Sequence, residues 1–241
     1  MTAEKEYLKK HGFEAFSPKA VLFDMDGVLF DSMPLHARCW SQICSDFGLH
    51  MSAEEAYLHE GRTGEATINI LARRHWGRDA TAREVQEIYA GKCRLFNACE
   101  EAPKMPGAES LLSQVKAAGL TIVVVTGSGQ QSLLERLHKH FAGFFQAELI
   151  VSSADVRRGK PDPEPYLMGL RKAGVRPWEA MVVENAPLGV QAAVGAKAFT
   201  IAVNTGPLPE NSLLEAGADM LFPSMQALSD QFPQMLARWR N

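Results

Sequence analysis

The chain is short of several things. It has 4 cysteines in 241 residues, Cys39, Cys44, Cys93 and Cys99, and no C-x-x-C pair. That excludes the usual thiolate zinc sites and suits free thiols in a reducing, cytoplasmic setting. No apolar run approaches the roughly 20 residues of a membrane span. The first residues, MTAEKEYLKKHGFEAF, are charged where a secretion signal would be apolar. No basic cluster stands apart and the net charge is −3, so no nucleic-acid surface is expected. Internal repeats and low-complexity tracts are missing too. What remains is an ordinary globular balance, 46% hydrophobic and 22% charged, in a length that suits one large domain or two modest ones.

Strand-like runs recur at Ala20–Phe23, Leu120–Val125, Leu149–Ser152, Ala180–Val183 and Phe199–Val203. Most are continuously apolar, as strands buried on both faces of a parallel sheet are. Helical patterns separate the later ones. Leu111, Leu112, Val115 and Ala118 share a face that ends at Gly119, and Leu133, Leu134, Leu137 and Phe141 share another. The alternation predicts an α/β fold with a doubly wound parallel sheet. From Met33 to Lys104 the pattern changes and no strand is evident. Ser52-Ala-Glu-Glu55 and Thr81-Ala-Arg-Glu84 read as capping boxes, and Val85, Ile88, Tyr89, Cys93 and Phe96 fall on one helix face. This is far longer than a normal βα connection. It predicts a helical domain, residues 33–104, inserted into a core built from 1–32 and 105–241, with Pro103-Lys-Met-Pro-Gly107 as the hinge at its exit.

Ligands of an open α/β sheet bind beyond the carboxyl ends of its strands. The first run ends in Asp24-Met-Asp26-Gly27, which places two carboxylates on one side of an extended chain. Two such groups repel each other, so a cation or a proton must offset them. The second run ends in Thr126-Gly-Ser-Gly129, where small hydroxyls and backbone N–H groups at a helix start suit an anion. Arg158-Gly-Lys160-Pro161 follows the third, and Glu184-Asn185-Ala-Pro187 closes the fourth. Together they form an inventory for Mg²⁺ and phosphate. An EF-hand fails, because Val28 and Leu35 stand where oxygen ligands belong. A dinucleotide loop fails at Ser132, which replaces its third glycine. A receiver-type signalling module would be about half this length, with its acid on a middle strand.

In this order the four segments resemble the motifs of the haloacid dehalogenase superfamily. Gly27-Val-Leu-Phe-Asp-Ser32, His36-Ala-Arg-Cys-Trp40 and Met105-Pro-Gly107 resemble its β-phosphoglucomutase-like branch. The resemblance implies that Asp24 attacks phosphorus to give an aspartyl-phosphate, and that Asp26 serves as general acid and base. Thr126 and Lys160 would hold the transferring oxygens. Mg²⁺ would bind Asp24, the Asp26 carbonyl, Glu184 and Asn185. This cation would offset Asp24, while Asp26 carries a proton. Gly127 and Ser128, with His36, Arg62 and Lys92 from the cap, would bind a small phosphorylated substrate in a monomeric enzyme.

The sequence departs from that branch at two places. Asn185 stands where two acids are usual, which leaves the metal short of negative charge. Gly64 stands where β-phosphoglucomutases carry a phosphate-binding arginine, and Glu60 lies in the same turn, Leu58-His-Glu-Gly-Arg-Thr-Gly64. Glu60 is therefore expected to complete the metal site from the cap. The strings HEGRTG, ENAPLGV and NTGPL resemble inorganic pyrophosphatases of the Bacteroides type within this branch. Inorganic pyrophosphate is the expected substrate, with a β-phosphoglucomutase or a sugar-phosphate phosphatase as the alternative.

Overall fold

The computed structural model describes residues 2–128 and 132–240. In chain order the elements are α1 Ala3–His11, β1 Ala20–Phe23, α2 Met33–Asp46, α3 Ala53–Leu58, α4 Gly64–Trp76, α5 Ala82–Asn97, α6 Ala108–Ala117, β2 Thr121–Val125, α7 Ser132–His140, β3 Ile150–Val151, α8 Glu164–Ala173, β4 Ala180–Glu184, α9 Pro187–Gly195, β5 Phe199–Val203, α10 Glu210–Glu215, β6 Met220–Phe222 and α11 Met225–Arg240. The six strands form one parallel sheet in the order β3-β2-β1-β4-β5-β6. β1, β4 and β5 are buried along their whole length, as their unbroken apolar composition requires. The sheet is the doubly wound one expected.

This order places the chemistry. The winding reverses between β1 and β4, and a crevice opens beyond the strand ends at such a point. β1 pairs with β2 on one side and β4 on the other, with Phe23 opposite both Val124 and Val183. Asp24 therefore stands level with Glu184 on the next strand, and its N–H donates to the Val183 carbonyl at 3.0 Å.

Three details differ from the sequence reading. The run at Leu149–Ser152 yields only the two-residue β3. β6 and α1 were not anticipated. β6 is three residues long, too short to show a period. α1 is anchored chiefly by the fully buried Tyr7, which packs on Phe16 and Phe199 and donates to the Lys197 carbonyl at 2.9 Å, with Ala3 and Leu8 packed at the core's edge. Gly129 and the side chains of Leu133 and Leu134 lie outside the described residues.

Between Met33 and Asn97 the described elements are all helices. They gather a cluster of their own, with Ile43, Cys44, Leu49, Met51, Ile68, Leu71 and Ile88 at its centre. Thr81 and Glu84 form a reciprocal capping box, whereas Ser52 only accepts from the Glu55 N–H. The two connections to the sheet run side by side: Asp31 N–H donates to Pro103 at 3.0 Å and Met105 N–H to Leu29 at 2.9 Å. The turn between α3 and α4 descends onto the strand ends. It packs so closely that a Cβ added to Gly127 would sit 2.9 Å from the Gly61 carbonyl oxygen. One added to Gly159 would sit 2.6 Å from Cγ2 of Thr63.

Candidate active site

Lys160 is the hub beneath the strand ends. Its ammonium is buried, bonds Asp24 directly, donates to Glu184 at 2.6 Å and reaches the Val125 carbonyl at 3.1 Å. Burial alone would lower Lys160, but Asp24 and Glu184 hold it above its ordinary range. Burial is the main influence on Asp24 as well; Glu184 and Asp26 add to it, and against the pull of Lys160 they push the carboxyl up to about 8. Thr126 is buried at the end of β2, where its hydroxyl accepts from the Ser128 N–H at 3.0 Å. Gly127 and Ser128 line the same cavity as Asp24 and Asp26.

Asp26 is wired to different partners. Ser32 donates to its Oδ1 at 2.5 Å, and His36 Nε2 lies 3.2 Å from the same oxygen. Lys92, buried on α5, donates to His36 Nδ1 at 2.8 Å. Lysine can only donate there, so the imidazole hydrogen belongs on Nε2, facing Asp26. The His36 ring also stacks on Phe96, with centroids 4.2 Å apart. Burial would raise Asp26, but the contacts from His36 and Ser32, with Arg136 behind them, hold it well below the usual carboxylate range. Asp26 is thus ionised here, contrary to the expectation that it carries a proton. The hydrogens that face it lie on Ser32 Oγ and His36 Nε2. His36 and Lys92, expected to bind substrate, are joined instead in one chain to Asp26, although both also line the cavity.

Glu60 is only 8% exposed and meets Asn185 above the crevice. Both of its oxygens accept from Asn185 Nδ2 at 3.0 Å. Burial first, then Asp24 and Glu184, push Glu60 well above its ordinary range, and the Asn185 bond offsets only part of this. Gly27 leaves room for the amide: its φ is +79°, and a Cβ there would lie 2.1 Å from Asn185 Nδ2. Arg62 lines the cavity, and its Nε is buried without a hydrogen-bond partner among the described residues.

Glu184 does not suit the metal-ligand role expected of it. Its Oε1 accepts from Lys160 and from Tyr166 Oη at 2.7 Å, and its Oε2 from the backbone N–H groups of Asn185 at 2.9 Å and Ala186 at 3.2 Å. Both oxygens are already engaged twice. Tyr166 is a site residue that sequence reasoning missed. Its only signal was a tyrosine in a helix that follows the lysine motif.

The arrangement suits a hard divalent cation. Two buried carboxylates, Asp24 and Glu184, face one ammonium, and a third, Glu60, is buried beside them. Asn185 Oδ1 is buried and has no hydrogen-bond partner among the described residues. Such an orphaned oxygen, beside excess negative charge and oxygen-only donors, fits Mg²⁺. Among the described residues no three His, Cys, Asp or Glu side chains form a metal site by themselves. The amide and backbone oxygens would have to complete one.

Comparison with known proteins shows the family. Residues 18–197 match the haloacid dehalogenase-like hydrolase family. Hexitol phosphatase A of Escherichia coli is 36% identical over 190 residues, covering 77% of this chain and 83% of that protein. A Thermotoga maritima phosphatase of phosphorylated carbohydrates is 30% identical over 217 residues, covering 88% and 97%. A solved structure from Bacteroides vulgatus, provisionally described as a beta-phosphoglucomutase, is 55% identical, with a TM-score of 0.97 over 99% of this chain and 97% of that one. None of these three is named as an inorganic pyrophosphatase, so that finer resemblance gains no support from them. With Asp24, Lys160 and the helical insert disposed as described, the chain belongs to the haloacid dehalogenase-like hydrolases, in their β-phosphoglucomutase-like branch.

Proposed function

We propose that the protein is a Mg²⁺-dependent phosphohydrolase that works through an aspartyl-phosphate on Asp24 and acts on a small phosphorylated sugar. The observation that carries the mechanism is the separate wiring of two carboxylates only two residues apart. Asp24 faces Lys160, and Asp26 faces the His36–Lys92 pair. Asp24 would bond phosphorus as the ester oxygen departs. Asp26 would relay the His36 Nε2 hydrogen to that oxygen as Lys92 gives one to His36 Nδ1, then take one from the water that attacks the aspartyl-phosphate and return it along the same chain. Lys160, Thr126 and the backbone at Gly127 and Ser128 would hold the phosphoryl oxygens. When bound, Mg²⁺ would be held by Asp24, Asn185 and Glu60 and would supply positive charge against the transferring group. The relatives named for phosphorylated sugars support the substrate class. A panel of hexitol phosphates, hexose phosphates and β-glucose 1-phosphate, assayed for phosphate release with Mg²⁺, tests it. No release from any of them, or release that survives Asp24→Asn, would end this reading.

A second substrate, inorganic pyrophosphate, is favoured by the cap turn. Glu60 closes the crevice from above, and the cavity beneath it is ≈ 70 Å³, well below the roughly 300–1,000 Å³ of pockets for larger ligands. Gly64 cannot give way to a phosphate-binding side chain, because a Cβ there would lie 2.3 Å from the Tyr89 ring. On this reading pyrophosphate exceeds β-glucose 1-phosphate by at least about tenfold in kcat/KM, or about 1.4 kcal/mol of transition-state binding. A sugar phosphate that matches pyrophosphate would refute it.

A further inference from the structure

Arg136 lies on α7, on the sheet side of the crevice, and no step above uses it. Its guanidinium carbon sits 4.2 Å from the centroid of Phe30 and 5.7 Å from that of Phe96. Phe30 is fully buried in the loop after β1, beside both chain connections, and bridges to Lys104. Phe96 belongs to α5 of the helical insert and carries the His36 ring stacked on its face. Arg136 Nε and Nη2 are buried with no hydrogen-bond partner among the described residues. The acids that face it are Asp26 and Glu101, and Glu101 is taken up by Lys139 and His140. An arginine so placed turns two of its nitrogens away from water without a carboxylate in return; what it gains is the faces of two aromatic rings.

We infer that Arg136 is a positioning residue that latches the closed insert: it grips Phe96 across the interdomain cleft, and Phe96 in turn presses His36 against Asp26. The contact runs from core to insert and back to the core, through Phe30, Arg136, Phe96, His36 and Asp26. It exists only while α5 lies over α7. Opening the insert, which carries both α2 and α5, would separate Arg136 from Phe96 and draw His36, still stacked on that ring, away from Asp26. Closure and assembly of the proton-transfer chain would then be one event rather than two. The inference goes beyond the substrate assignment, since the latch is the same whichever phosphate compound enters.

The test labels the protein with 5-fluorotryptophan and follows the ¹⁹F resonance of Trp40, which lines the catalytic cavity. Trp40→Phe assigns the signal. In Arg136→Met, which keeps the apolar stem, the free protein should shift its Trp40 signal away from the wild-type closed position. kcat/KM for any ester the wild type hydrolyses should fall about tenfold. Phe96→Leu should do the same, Phe96→Tyr should stay near wild type, and the double variant Arg136→Met/Phe96→Leu should be no worse than either single one. The melting temperature of Arg136→Met should stay near wild type, because the methionine keeps the apolar contact with Phe30. An unmoved Trp40 signal, losses that multiply in the double variant, or a melting temperature that falls with the activity would overturn the latch. If no ester is turned over at all, the proposed activity fails while the Trp40 signal still decides the latch.

Discussion

Replacing Glu60 by glutamine is the sharpest perturbation of the site. The change is nearly isosteric, and Oε1 can still accept from Asn185 Nδ2, so packing stays and a charge goes. Glu60 shares its buried space with Asp24 and Glu184. At ~6 Å and an effective dielectric of about 20, one like-charge pair costs about 3 kcal/mol. Proton uptake relieves part of that, so a gain of about 1–2 kcal/mol in metal-free stability is expected at pH 8. For a chain of this size that raises the melting temperature by roughly 2–8 °C. Its pH dependence has a definite sign. The folded protein holds protons on Glu60 and Asp24 above the ordinary carboxylate range, so metal-free stability is highest below that range. It declines as pH rises toward 8, and the decline should be shallower in Glu60→Gln. With Mg²⁺ the gap narrows or closes. A tenfold weaker site loses about 1.4 kcal/mol of ligand-linked stabilisation. The assay is thermal unfolding across pH 5–9, with and without Mg²⁺. Refutation would come from a Glu60→Gln protein with the wild-type Mg²⁺ shift, or from one destabilised without metal.

Other substitutions probe other links. Asn185→Asp should restore to Glu60→Gln part of its Mg²⁺-dependent stabilisation; additive effects in the four-member cycle would show that the two residues hold no common ion. Asp24→Asn should abolish turnover, and activity within tenfold of wild type, about 1.4 kcal/mol of barrier, would rule out the covalent route. Lys92→Met leaves His36 free to take the other tautomer, so kcat should fall by about tenfold to a hundredfold with KM little changed; a loss confined to KM would instead return Lys92 to substrate binding. Tyr166→Phe removes a buried donor from Glu184 and should lower stability by about 1–2 kcal/mol in urea unfolding; an unchanged midpoint would mean that water replaces the hydroxyl.

The core was legible because its signals are local. An unbroken apolar run such as Ala20–Phe23 marks a central strand, and chemistry gathers where such runs end. The four motif segments do converge, because β2, β1 and β4 are neighbours. What escaped depends on contacts distant in sequence. Glu60 was legible as an acid in the cap turn, but its bond to Asn185 Nδ2 was not, since it follows from a turn docked against Gly127 and Gly159. Glu184 reads as a ligand until its four donors are counted in space. The link between His36 and Lys92 spans 56 positions and two helices. Tyr7 is the one fully buried side chain of α1, and a single aromatic residue leaves no period to detect.

The turn between α3 and α4 meets the strand ends almost backbone to backbone at Gly61 against Gly127, and through the Thr63 methyl at Gly159. Where two lobes touch through glycines, the aperture between them is set by the smallest residue available, and every substitution can only widen it. One methyl at position 127 or 159 would act as a wedge that props the lobes apart. Glu60 would lift away from Asn185 as the chamber above Asp24 enlarged. Substrate size in such a protein is then governed less by the residues that line the chamber than by the spacers at its rim. A lineage could drift from a compact inorganic substrate to a bulky sugar, or back, through one or two residues that never touch either.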